Sequence, residues 1–243
     1  MRIDAKDVHY RELNEQIHDA IARGNHDLTI ENVQGQRYIG AGLEEGVNLL
    51  IKGVPGQDLA AFMDGAQITV NANVQDGVAN TMNDGRIVVR GDAGDICGHS
   101  MRGGSVLVEG LVGWRCGIHC KAFGAHYPTM VVGTTAGAYL GEYMAGGVIA
   151  VLNIEDSDGS PVGNYCGTGM HGGLMFIRGH VEPYQLGAEC GADEISETDW
   201  DLLRSIIEEF CTEFGHDADC FAPDQFIKIF PKTSRPYGKL YAY

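Results

Sequence analysis

Met82-Asn83-Asp84-Gly85-Arg86-Ile87-Val88-Val89-Arg90-Gly91 is answered 19 residues later by Met101-Arg102-Gly103-Gly104-Ser105-Val106-Leu107-Val108-Glu109-Gly110. The phrase is Met-x-x-Gly, then alternating apolar residues, then glycine. It returns at Met144-Ala145-Gly146-Gly147-Val148-Ile149-Ala150-Val151 and at Met170-His171-Gly172-Gly173-Leu174-Met175-Phe176-Ile177-Arg178-Gly179. A looser copy starts at Met63, with Ile68 and Val70 in the apolar slots. Between Met101 and Met144, Thr129-Met130-Val131-Val132-Gly133 supplies a strand without the Met-x-x-Gly start. The distance from Met144 to Met170 exceeds one unit, and the excess falls in Ile154–Pro161, which reads as a protruding loop.

A period near 20 with short apolar runs points to a solenoid, because one such unit cannot bury its own hydrophobic face. The Leu/Asn signature of leucine-rich repeats is absent, and propeller blades need about twice the length. The expected fold is all-β: a right-handed parallel β-helix in coils of ~20 residues. Each strand pairs with its equivalent above and below, inward Ile, Val, Leu and Met stack in ladders, and glycines mark corners. The ends of such a stack need covers.

Two segments read as those covers. From Val8 to Arg23, Leu13, Ile17, Ala20 and Ile21 fall at helical spacing, and Gly24-Asn25 stops the helix. From Trp200 to Phe214, Leu203, Ile207, Phe210 and Phe214 form one stripe, Leu202 and Ile206 widen it, and Gly215 ends it. Ser196 with Asp199 suits an N-cap. The expected organisation is one domain: residues 1–26 helical, 27–182 parallel β-helix, and 183–243 a helix and an extended tail. In that tail, Phe226–Pro231 reads as an edge strand.

Composition narrows function. The 243 residues carry a net charge of −16, which disfavours nucleic acid and anionic membrane partners, since phosphate binding needs clustered Lys and Arg. The start lacks an apolar signal-peptide core, and the apolar runs fall far short of the ~18 residues that span a bilayer. A soluble cytoplasmic protein is expected. Seven cysteines, an odd number without C-x-x-C, read as reduced thiols packed as small hydrophobes.

Three constellations bear on chemistry. Gly91-Asp92-Ala93-Gly94 and Gly133-Thr134-Thr135-Ala136-Gly137 superficially resemble phosphate loops, but they recur in successive coils, continue into strand and lack Gly-Lys-Ser/Thr. They read as corners. Cys116-Gly117-Ile118-His119-Cys120, with His99 and His126, has the right donors for zinc or an iron–sulfur cluster, at a spacing with little specificity. Cys97 near His99 and Cys166 near His171 have the residue types of a nucleophile and its base. An autonomous metal-dependent enzyme using Cys116 and Cys120 is therefore a second reading beside a purely structural one.

Several phrases in order carry a family resemblance. They are Ile30-Glu31-Asn32 with Arg37-Tyr38-Ile39-Gly40, Gly53-Val54-Pro55-Gly56-Gln57, Gly91 through Gly104, and Val162 through Gly173. The chain resembles the Gly-x-Gly-x-Gly (GXGXG) domain, the C-terminal β-helix domain of the glutamate synthase large subunit, here as a stand-alone subunit. Its Tyr237-Gly238-Lys239-Leu240-Tyr241 ending is similar to that of stand-alone members. The resemblance implies a non-catalytic scaffold in a complex that makes glutamate from glutamine. It implies a flavin-dependent synthase subunit and a glutaminase subunit as partners, with FMN and an iron–sulfur cluster held by them. It gives this chain no catalytic, cofactor-binding or metal residue. Related β-helices occur in formylmethanofuran dehydrogenase and N-methylglutamate synthase, so a subunit of either type is the alternative.

Overall fold

The computed structural model describes residues 1–124, 126–155 and 159–234. The centre of the Ile154–Pro161 loop and the Tyr237–Tyr241 ending lie outside them. The chain is a parallel β-solenoid of about 6 turns with two helices. Its strands are β1 (Arg2–Asp4), β2 (Asp27–Gln34), β3 (Asn48–Val54), β4 (Asp64–Val70), β5 (Asp84–Val89), β6 (Ser105–Val108), β7 (Thr129–Val132), β8 (Ala145–Val151), β9 (Gly172–Arg178), β10 (Cys190–Glu194) and β11 (Phe226–Pro231). The helices are α1 (Tyr10–Ala22) and α2 (Glu197–Phe214).

The register explains the apolar alternation. Leu28, Leu49, Ile68, Ile87, Val106, Met130, Ile149 and Met175 lie opposite one another from β2 to β9. Ile30, Ile51, Val70, Val89, Val108, Val132, Val151 and Ile177 form a second file two residues on. Strand side chains alternate between faces, so both files point inward, and both belong to the buried interior. The residues between them point outward. From β5 to β9 these are Val88, Leu107, Val131, Ala150 and Phe176, all buried.

That outward file is covered by α2, which differs from the expected end cap. Leu203, Ile207 and Phe210 share one apolar cluster with Val88, Leu107, Val131, Ala150 and Phe176. The helix runs across the strands. At its start Asp199 binds Lys228 of β11 at 2.6 Å, and at its end Glu213 binds Arg86 of β5 at 2.9 Å and Arg90, just after β5, at 2.6 Å. An 18-residue helix is about 27 Å long, enough to cross five strands spaced ~4.8 Å apart. Sequence periodicity showed an apolar stripe but not the surface it meets. The stripe matches a sheet face made apolar on both sides over β5 to β9. By contrast α1 sends Leu13, Ile17 and Ala20 into the interior cluster, together with Ile3 of β1.

Two further differences concern strands. Residues 1–26 hold a strand as well as a helix: β1, only 3 residues long, pairs in parallel with β2. It is too short to show a period. The Phe226–Pro231 strand is internal to the sheet, not an edge, because it lies antiparallel between β9 and β10. Its near-continuous apolar run, Phe226-Ile227-Lys228-Ile229-Phe230, suits a strand with neighbours on both sides.

Candidate functional site

The repeat's second side is built on an unusual backbone. In successive coils three alternate residues take positive φ: 58, 60 and 62; 77, 79 and 81; 96, 98 and 100; 115, 117 and 119; 139, 141 and 143. The outer two of each triad donate N–H to the next coil and the middle one to the coil before, as with Asp58 to Asp76, Phe62 to Asn80 and Ala60 to Ile39. Left-handed backbone is unfavourable for Ile96 or Thr81 alone. The coil-to-coil hydrogen bonds on both sides hold it in place. The middle residue faces the interior, and Gly117 shows why small residues recur there: a Cβ would run into Ile149 Cδ1.

This geometry accounts for the cysteines. Coil-to-coil hydrogen bonds align Leu59, Val78, Cys97, Cys116, Leu140 and Cys166 in one buried file, and Met63, Met82, Met101, Cys120, Met144 and Met170 in another. The two files lie four residues apart in every coil, so the Cys116–Cys120 spacing is the spacing of Leu59 and Met63. Cys120 stands where the other coils place the methionine of the repeat. Cys116 Sγ lies 3.5 Å from the Gly113 carbonyl and Cys120 Sγ 3.2 Å from that of Gly98. Burial pushes Cys97 and Cys120 up to about 12 and raises Cys116 well above the ordinary thiol range.

The histidines go elsewhere. His119 lies exposed on the outer surface, stacked on Tyr143 with ring centres 5.3 Å apart. His99 Nδ1 is 3.0 Å from Asn80 Oδ1, and its ring meets His119 edge-on at 6.1 Å. His171 faces the Gly169 carbonyl, and His126 lines a separate cleft. Among the described residues no thiol is hydrogen-bonded to an imidazole, and no three His, Cys, Asp or Glu side chains are grouped to hold a metal. Thiol chemistry follows: Ellman's reagent at pH 8 should titrate one fast equivalent in the folded protein, exposed Cys220, and seven after denaturation. Two or more fast equivalents would contradict the packing described.

His99 supplies a pH dependence. Burial, then the neighbouring His119, pushes its imidazole below the usual range, with Asp58 opposing. The unfolded chain therefore takes up the proton first. Stability should be complete above pH ~6.5 and decline below it. His99→Gln should flatten this slope. The check is the urea midpoint of both proteins at pH 7.5 and 5; an identical decline in the two would exclude His99 as its source.

The corner between the two sides explains the Gly-x-x-Gly phrases. Asn73 accepts the N–H of Asp92, and Asp92 accepts that of Leu111 at 3.0 Å. Asp76 accepts the N–H of Asp95, and Asp95 that of Trp114 at 2.8 Å. Each carboxylate thus bonds to the next coil, and the glycines at 110 and 113 leave it room: a Cβ on either would strike Asp92 or Asp95. These loops bind their own neighbours in the adjacent coils.

Two outward features remain. A cleft of about 460 Å³ is lined by Asp64, Asn83, Asp84, Arg102, Lys121 and His126, with Phe123 at its rim. Its polar groups are exposed or half-buried. Along the corner, where the carboxylate files stop, the chain exposes Leu111, Trp114 and Tyr165. No helix among the described residues is long and apolar enough to cross a membrane.

The architecture extends to other proteins. A protein of Methanocaldococcus jannaschii, described as uncharacterized, is 49% identical over 249 residues, covering 98% of this chain and 95% of its own length. The family model described as the GXGXG motif matches residues 10–233. Over essentially its whole length this chain belongs to the GXGXG motif family.

Proposed function

We propose that this chain is a non-catalytic scaffold subunit of a glutamate synthase-type complex, in which glutamine supplies nitrogen for glutamate. Its membership of the GXGXG family from residue 10 to residue 233 carries the reading. The packing is consistent with it. Six of seven thiols are buried in ladders or under α2, so the donor set does not suit a nucleophile or a cluster ligand. The coils are locked to each other by side chains and backbone alike, which gives a rigid body. In this reading FMN and an iron–sulfur cluster belong to a synthase subunit, and glutamine hydrolysis belongs to a separate glutaminase subunit. The location of the complex in this reading is the cytoplasm.

Native purification of the tagged chain tests it. The expected result is co-purification, in fixed ratio, of a flavin- and iron–sulfur-containing synthase chain and a glutaminase chain, identified by mass spectrometry and by flavin absorbance. Recovery with a molybdenum or tungsten dehydrogenase subunit would place the chain with the formylmethanofuran type. Recovery as a single chain at native expression would end the scaffold reading.

A further inference from the structure

One corner of the solenoid changes character along its length. In the coils at residues 76 and 95 the corner position is aspartate, and in the next coil it is Trp114. In the parallel file, Asn73 and Asp92 give way to Leu111. Trp114 is 60% exposed and Leu111 44%. The neighbouring file brings Arg115, Tyr139 and Tyr165 alongside. Tyr139 and Tyr165 stack at 4.9 Å, and the Arg115 guanidinium lies 4.7 Å from the Tyr139 ring. Trp114 is laid against the coil above it, since a Cβ on Gly137 would stand 2.5 Å from its Cδ1.

Exposed Trp and Tyr held rigid beside Arg is the composition of an interface centre. Nothing in the fold needs it. A further aspartate at 114 would continue the ladder, and the tryptophan leaves more than half of its surface in water. The aspartates on the other side give the patch a sign. Asp76, Asp92 and Asp95 accept neutral backbone or amide N–H groups, and none is ion-paired among the described residues. The surface therefore pairs an aromatic anchor with a row of uncompensated negative charge.

We infer that this corner is a docking surface for a basic segment of the synthase partner. Trp114 and Leu111 fill an apolar pocket on it, and its Lys or Arg side chains sit against Asp76, Asp92 and Asp95. The inference rests on the scaffold reading above. Complementary charge sets the approach and the salt dependence, and the buried aromatic sets the residence time.

The test uses the full-length tagged chain in its native host, with the synthase chain identified by mass spectrometry as the partner measured. Trp114→Ala should lower recovery of the synthase chain roughly tenfold or more, with an unchanged melting temperature. The triple change Asp76→Asn, Asp92→Asn and Asp95→Asn keeps the side-chain acceptors for the next coil. It should weaken recovery at low salt and abolish its dependence on salt. Phe123→Ala, which removes a more exposed aromatic (74%) at the separate cleft, should retain the partner. Retention by the Trp114 variant, or release by the Phe123 variant alone, overturns the docking surface while leaving the scaffold reading intact. A wild-type chain recovered without any synthase overturns both.

Discussion

Phe210→Ala should cost about 3–5 kcal/mol and release α2 from the sheet. Phe210 is fully buried, and its ring sits over the backbone at Gly133, where a Cβ would lie 2.9 Å from Cζ. It also meets Phe214 at 4.6 Å between ring centres. Truncation leaves a cavity bounded by a flat sheet face. That sheet is fixed by hydrogen bonds to the coils on both sides and cannot collapse into the space. The helix ends are tied by ion pairs around Glu213 and Asp199, but these are partly exposed and contribute about 1 kcal/mol or less each. They do not hold α2 once the apolar seam opens. Exposed Val88, Leu107, Val131, Ala150 and Phe176 then form an apolar strip across five strands. The measurement is a urea titration followed by circular dichroism, with binding of a hydrophobic dye at zero denaturant. Phe62→Ala, at an exposed aromatic, should change stability by no more than ~0.5 kcal/mol. Equal effects of the two substitutions would mean that α2 does not cover the sheet as described.

The second large effect is at Gly104, in the opening phrase. Its φ is +73°, and a Cβ there would collide with the Gly85 carbonyl oxygen and Met82 Cε and stand 2.8 Å from Gly85 N. Those backbone atoms belong to the coil below. Neither coil can shift alone, because each is bonded to both neighbours. Gly104→Ala should therefore cost about 3–5 kcal/mol, most of it steric. Left-handed backbone alone is not the cause. Ala60 and Ala79 hold φ of +59° without a clash of this kind being built in. A loss under about 1 kcal/mol in the denaturation midpoint would show that the coils slide apart more easily than their hydrogen bonding implies.

Much of the solenoid was legible in the repeat. The apolar slots read in the looser copy, Ile68 and Val70, are inward in the structure, and every methionine that begins a copy is buried. The α2 stripe and its Ser196/Asp199 capping box were readable for the same reason: they are local patterns of period 3.6 and of a cap. The cysteine pair was less legible. C-x-x-x-C suggests a ligand pair until the coils are aligned, when Cys116 and Cys120 prove to be the equivalents of Leu59 and Met63. The aligned repeat hints at this through Met101 and Met144, with no methionine between them to begin a copy. The Asp-to-Trp change at the corner was visible as letters, Asp76, Asp95, Trp114, but only coil-to-coil hydrogen bonds put those letters in one file.

The sequence by itself determined that Met82–Gly91 and its copies stack, which residues of each copy point inward, and where both helices begin and end to within a few residues. These follow from short-range geometry: the two-residue period of a strand, the left-handed turn that favours glycine, and the cap of a helix. Tertiary structure decided which surface each piece meets. It placed α2 on the outside of the sheet, β11 between β9 and β10, the thiols in the interior and Trp114 in the open. Those outcomes depend on complementary surfaces between segments distant in sequence, as far apart as Arg86 and Glu213, and no local pattern carries that information.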